Sequence, residues 1–382
     1  MNILNIEGFG QIPREVELYN NPSMNMDDIF EKLKRYGVSL FSQCSTDYSG
    51  TTSIRLGTQV IDAVEYTGLK VVMPKGGGGF RLHCRLPDLR QAAVQFGCRL
   101  SLSAGQKYTL SMIGVGSAVF NAYGKDDEAT SYYFEIVVSY NEEKHLFTVQ
   151  LYCDRVLMRT EFFGDNPDYF KDGAPDNVEI VLGPMGHHGH IFQSGVSGTM
   201  VVGDLYLATL PYGAGKEVKP ELMGSIEVGA CQVVAFKGDK HVNTLGKDVV
   251  KGLNSGAPAD GYLSLRPVEQ AAEITFEQPD LAGKKIIGVM VGVTYRSSSA
   301  PNNHLAWQVK QGNTPGPLTD EKSPQGGPGS WTTRSKMFTA PLDGTPEWDA
   351  GNLQFSLDLF NKTDILPGPQ NQKNAKEGET ET

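Results

Sequence analysis

Apolar and polar residues alternate in short runs along much of this chain. In residues 80–86, Phe80, Leu82, Cys84 and Leu86 fall on one side, and Arg81, His83 and Arg85 on the other. Residues 96–102 repeat the pattern with Phe96, Cys98, Leu100 and Leu102. Further runs occupy 108–112, 132–138, 146–153, 156–161, 177–182 and 199–208. A period of two with one apolar face is what a half-buried strand requires, because successive side chains leave opposite faces of a sheet. Turns rich in Gly and Asp at 75–79 and 124–127 separate the runs, and this spacing predicts an antiparallel sandwich.

One segment has the helical period instead. Between Asn25 and Gly37, Ile29, Leu33 and Tyr36 share a face at i, i+4, i+7. Asn25 is placed to cap, Asp27 and Asp28 complement the positive end of the helix dipole, and Lys32, Lys34 and Arg35 complement its negative end. Gly37 is a natural stop. This short amphipathic helix is expected to cover a sheet, with docking on a neighbouring chain as the alternative.

Residues 211–222, rich in Gly, Pro and charge, read as a linker. A second β-rich unit follows, with strands at 286–295, 304–309 and 353–359. In 286–295, Ile287, Val289, Val291, Val293 and Tyr295 form one face. Gly288, Met290, Gly292 and Thr294 form a smaller one that suits close approach of another surface. Residues 311–330 read as a long loop without period. The predicted organisation is an N-terminal arm with a helix (1–38), a sandwich (39–210), the linker (211–222), a second sandwich (223–361) and a polar tail (362–382). The tail cannot build a core, so it is expected to be free or held by a partner. The fold class is therefore all-β, two antiparallel β-sandwich domains with one short N-terminal helix.

Charge and cysteine content narrow the function. The net charge is −10, without a basic stripe, which argues against nucleic acid as a partner. Residues 1–7 lack a basic segment followed by an apolar core, and no run approaches ~20 apolar residues, so neither a leader nor a membrane span is expected. Synthesis in a cytoplasm follows as the expectation. Cys44, Cys84, Cys98, Cys153 and Cys231 lie apart, mostly in apolar runs, and are expected to be reduced and buried. If 80–86 and 96–102 formed a hairpin centred on Gln91, Cys84 would face Cys98, which leaves a disulfide as the minority reading.

Candidate chemistry is sparse. His187, His188 and His190 could donate three imidazoles to a metal, but nothing beside them completes a set, and a Gly/His loop is the expected reading. Asp165, Asp168, Asp172 and Asp176 could supply oxygen to calcium, although their spacing is not that of an EF-hand, and a solvated loop is expected. Gly76 to Gly79 precede a strand and lack the Lys-Ser/Thr of a phosphate loop. Tyr132, Tyr133 and Phe134 could stack on a sugar if exposed, though packing is the simpler use. No nucleophile elbow, Cys/His pair or assignable carboxylate pair is present. The expectation is a non-enzymatic chain without catalytic residues or cofactors.

Two stretches resemble known families. Residues 132–136, 147–157 and 203–207 are similar to the concanavalin-like sandwich of laminin-G and pentraxin-type domains, with Asp154-Arg155 where an Asp-Gly hairpin is usual. Residues 341–355, with Pro341, Thr345, Gly351, Trp348, Leu353 and Phe355, resemble the ending common in structural proteins of tailed bacteriophages, with Ser356 where Gly is frequent. These resemblances imply a virion component of the tail, neck or baseplate, a jelly-roll-like building protein whose partners are copies of itself and other virion proteins. The alternative is a lectin-like module of a tail fibre that binds a host-surface glycan.

Overall fold

The computed structural model describes residues 1–382 except 13, 15, 20–25, 48–52, 74–78, 106, 114–117, 124, 126, 165–178, 183–197, 214–216, 244–247, 256–261, 268–269, 282, 297–302, 322–330 and 364–382. The first part contains β1 (Asn2–Glu7), β2 (Glu17–Tyr19), α1 (Met26–Arg35), β3 (Gln43–Asp47), β4 (Ser53–Ile61), β5 (Val64–Met73), β6 (Gly79–Arg85), β7 (Ala93–Leu102), β8 (Lys107–Ile113), β9 (Ala118–Tyr123), β10 (Thr130–Asn141), β11 (Leu146–Cys153), β12 (Val156–Gly164), β13 (Glu179–Leu182) and β14 (Gly198–Leu210). The second contains β15 (Val233–Lys237), β16 (Val242–Asn243), α2 (Val249–Asn254), β17 (Leu263–Ser264), β18 (Ala272–Phe276), β19 (Val289–Tyr295), β20 (Asn303–Gln311), β21 (Thr314–Pro315), β22 (Thr319–Glu321), β23 (Thr332–Phe338) and β24 (Phe355–Thr363).

The chain is all-β with antiparallel sheets, as the alternation predicts. A nine-stranded sheet runs β12-β11-β10-β7-β14-β5-β4-β2, with β1 on the second half of β14. A five-stranded sheet, β3-β6-β13-β8-β9, faces it. The core between them takes Phe96, Cys98 and Leu100 from β7, Phe134, Ile136 and Val138 from β10, and Leu82 and Cys84 from β6. Helix α1 buries Ile29 and Leu33 completely in this core, and Gly37 follows at φ +84°, the left-handed stop that glycine favours. In the second part a six-stranded sheet, β15-β18-β24-β20-β21 with β22 on β20, opposes the pair β19–β23. Trp307, Ile274, Leu357 and Val293 share its core. A second short helix, α2, adds to the one helix expected.

Three expectations change. First, β6 and β7 do not form a hairpin; they lie in facing sheets, Cys84 opposite Ile180 and Cys98 opposite Phe134. Both are free thiols in the core, Cys153 is half-buried, and Cys231 is exposed rather than buried. Cys44 has its side chain outside the described residues. Burial pushes the Cys98 thiol far up and, with Asp154 beside it, that of Cys153 to about 12. A thiol reagent is therefore expected to label Cys231 first in native protein and Cys84 and Cys98 only on unfolding; early loss of the two core thiols, followed by peptide mapping, would contradict this packing.

Second, the segment read as a linker lies against the large sheet. Tyr212, Val218 and Leu222 pack on Ala93, Val137, Tyr152 and Leu210, and the Tyr212 hydroxyl donates to the Leu89 carbonyl at 2.5 Å. The segment thus covers the outer face of β10 at Val137, while Ile3, Tyr206, Met223 and Ile226 cover it at Tyr133, so Tyr133 and Phe134 are both buried although they point to opposite faces. No platform of exposed rings exists at 132–134. Third, residues 311–330 are not all loop, since β21 and β22 fall within them, and β24 extends to Thr363, two residues into the predicted tail. The small face near Gly288 is filled by the chain itself: a Cβ there would collide with the Met337 methyl.

Candidate functional site

The covered outer face of the large sheet holds a buried polar cluster. Glu135 is fully buried in the middle of β10. Its Oε1 accepts from the Tyr206 hydroxyl (2.5 Å), the Met223 N–H (2.8 Å) and Gln95 Nε2 (3.2 Å), and its Oε2 from the Gly224 N–H (3.1 Å). Beside it, Arg99 pairs with Asp204 at 2.9 Å and lies over the Tyr66 and Tyr133 rings. Asp204 also accepts from the Val228 N–H at 2.9 Å. Burial raises the Asp204 carboxyl above its ordinary range, against the lowering pull of Val228 and Arg99. Burial likewise drives the Tyr206 and Tyr133 phenols upward, so both stay protonated and donate. Gly97 makes room: a Cβ there would collide with the Tyr206 ring. Glu135 Oε1 and Oε2, Gln95 Oε1 and Asp204 Oδ1 each accept an N–H from residues 221–228, so the cluster fastens that strap to the sheet.

The hairpin that joins β11 to β12 serves the same strap. Asp154 and Arg155 have φ of 47° and 67°, the two left-handed residues of a two-residue hairpin turn. Arg155 stands where glycine would be easier because its guanidinium donates to the Met223 carbonyl at 2.5 Å.

Beyond that turn, β12 is, among the described residues, the end strand of the nine-stranded sheet. It loses the alternation of its neighbours. Val156 (62%), Leu157 (49%), Met158 (61%) and Phe162 (62%) are all substantially exposed, and only Phe163 turns back onto the core. Arg159 and Glu161 form an ion pair along the strand. A bulge at Met158 interrupts the pairing with β11 between Leu157 and Arg159. An unpaired sheet edge offers a row of backbone donors and acceptors, and native proteins usually protect one with repelling charge or proline. Here the edge carries apolar side chains and a balanced pair of charges instead.

A third feature involves the second part. A cavity of about 1640 Å³ is lined by second-part residues such as Val291, Ile274 and Leu357 and by Ile6, Tyr36 and Arg155 of the first part. On its rim the Arg296 guanidinium lies 5.2 Å from the ring centres of both Tyr262 and Trp331.

The residues singled out from the sequence as metal candidates cannot be placed in the fold. His187, His188 and His190, and Asp165, Asp168, Asp172 and Asp176, lie outside the described residues, as do Gly76, Gly77 and Gly78; Gly79 is the first residue of β6. Among the described residues, no group of three His, Cys, Asp or Glu side chains converges to hold a metal ion, and no helix is long and apolar enough to cross a membrane. The residues missed were Glu135 and the β12 edge. The signal for Glu135 was a single acid inside the apolar run 132–138. For β12 it was the apolar pairs Val156-Leu157 and Phe162-Phe163, which no half-buried strand needs on both faces.

No family model matches the sequence, and no curated protein matches it. Solved structures share the sandwich architecture at low identity. The alginate lyase Aly36B is 11% identical over 41% of this chain and 87% of its own, with a TM-score of 0.29. The enzymatically active domain of bacteriophage CBA120 tailspike protein 4 is 13% identical over 46% of this chain and 22% of its own, with a TM-score of 0.26. A seed lectin of Lotus tetragonolobus is 6% identical over 44% of this chain and 99% of its own, with a TM-score of 0.23. These values describe a likeness in fold class. They also correct one expectation: alginate lyases and an enzymatically active tailspike domain stand among the similar structures, so the non-enzymatic assignment is withdrawn.

Proposed function

We propose that this chain is a structural component of a tailed-phage virion, in the tail, neck or baseplate, that is held in the particle by protein–protein contacts. The observation that carries the reading is β12, a sheet edge with four large apolar side chains in solvent. Single exposed apolar residues are ordinary, whereas several on one sheet edge mark an interaction surface. The phage-like ending supports the same reading from a different part of the chain: Trp348 packs on Phe355, ring centres 6.0 Å apart, at the start of β24.

The test is incorporation. Quantitative mass spectrometry of purified particles is expected to find the chain at a fixed copy number. The double variant Met158→Glu, Phe162→Glu changes only exposed positions, so it is expected to stay folded and to be missing from particles. Wild-type chain absent from particles, or normal incorporation of the variant, would refute the proposal.

A second reading rests on the cavity rim. Tyr262 and Trp331, each with Arg296 over its ring, gather aromatic surface and a cation beside the cavity, features that suit a glycan, above all an acidic one. Glycan-array binding that disappears in Trp331→Ala while incorporation is unchanged would favour the receptor role.

A further inference from the structure

The edge strand carries its own complement. In an antiparallel pairing, residues directly opposite share a face, and opposite charges there attract while like charges repel. Around Thr160 the β12 sequence reads Met158, Arg159, Thr160, Glu161, Phe162. A two-fold axis through Thr160 sets Arg159 of each copy against Glu161 of the other. It also brings Phe162 towards Met158 of the other copy, at the bulge that interrupts β12, a thioether near an aromatic ring. Moving the axis to Arg159 or Glu161 places two like charges face to face. The charges thus favour the axis at Thr160 over those at Arg159 and Glu161.

We propose that β12 pairs antiparallel with β12 of a second copy of this chain about an axis at Thr160, joining the two nine-stranded sheets into one continuous sheet. The proposal rests on the assembly reading above and names the partner. A second copy fits better than an unrelated strand because both halves of the match lie within five consecutive residues, and self-complementary two-fold interfaces are the commonest in homo-oligomers. Of the usual edge defences a bulge is present at Met158, but Arg159 and Glu161 cancel, so two such strands do not repel. In the single chain these two residues already pair along the strand, and the dimer adds cross-strand partners without leaving a charge uncompensated. A strand of nine residues is short against the 1,200–2,000 Å² typical of stable interfaces, so the dimer is expected to dissociate on dilution.

Sedimentation equilibrium of the full chain, from about 1 to 100 μM, tests it against that expected affinity. The wild type is expected to be a monomer–dimer mixture. Arg159→Glu and Glu161→Arg each put like charges opposite and are expected to weaken the dimer at least tenfold. The double reversal restores both pairs and should regain the wild-type constant. Melting curves of all four proteins confirm folding. A wild type that is monomeric throughout overturns the self-pairing, as does a dimer indifferent to both single reversals. If the wild type is monomeric but Met158→Glu, Phe162→Glu still abolishes incorporation, the assembly reading stands and the strand's partner is another virion protein.

Discussion

Replacing Glu135 with leucine is expected to destabilise the protein by about 3–5 kcal/mol, the cost of leaving several buried donors without their acceptor. The carboxylate collects four donors in a site without solvent: the Tyr206 hydroxyl, Gln95 Nε2 and the N–H groups of Met223 and Gly224. Leucine accepts from none of them. Gln95 retains the Glu221 carbonyl at 3.1 Å, but the two strap amides lose their acceptor, and each buried orphan costs about 1–3 kcal/mol. Residues 221–228 should therefore detach first. Urea denaturation measures the total, and hydrogen exchange at Met223 and Gly224 should accelerate before the amides of β10 do. Unchanged stability with protected strap amides would show that the network does not fasten the strap. Glu135→Gln is the milder companion, because its amide presents a donor where one of these N–H groups also needs an acceptor.

Raising the pH from about 4.5 to 7 is expected to remove roughly 3 kcal/mol of stability, at ~1.4 kcal/mol for each tenfold difference in proton affinity between the folded and unfolded chain. The group responsible is Glu7, at the end of β1. Burial pushes its carboxyl from the ordinary 4.5 up to about 7, in spite of hydrogen bonds from Gln11 and the Phe9 N–H. Its Oε2 has no hydrogen-bond partner, as suits a carboxylic acid better than a carboxylate. The folded form holds the proton more tightly than the unfolded chain, so the stabilisation is complete below 4.5 and is lost as pH rises through 7. Asp204, also raised, acts in the same direction. Asp88 is lowered, chiefly by Arg90, and Asp343 by Thr345; their contributions fade only as pH falls into the acid range. Glu7→Gln should flatten the profile between pH 5 and 7.5 in equilibrium denaturation. An equally steep profile in that variant would place the effect elsewhere.

Much of the strand content was legible because burial imposes a period. Runs such as 146–153 and 199–208 correspond to β11 and β14, and Ile29 and Leu33 marked the buried stripe of α1. The hairpin β4–β5 was not legible. Its turn is Asp62-Ala63, both at positive φ, and without a glycine or asparagine the sequence carries little turn signal. The supposed hairpin 80–86/96–102 failed for a related reason. Alternation tells a strand which face is apolar but not which strand lies beside it, and β6 and β7 present matching apolar faces from opposite sheets.

The sequence by itself determined that this chain is antiparallel β, where most strands run, where the helix starts and stops, and that residues 132–138 contain an acid in apolar company. These are local properties, set by side-chain period and backbone preference. Tertiary structure alone decided that residues 211–228 lie on the sheet rather than span between units. That outcome depends on acceptors at Glu135 and Asp204 meeting amides some 24 to 89 positions away. It also decided that β12 is the last strand of its sheet. The apolar residues of β12 are ordinary as sequence; they become a surface only because no strand among the described residues lies beyond them, and strand order is a property of the whole fold.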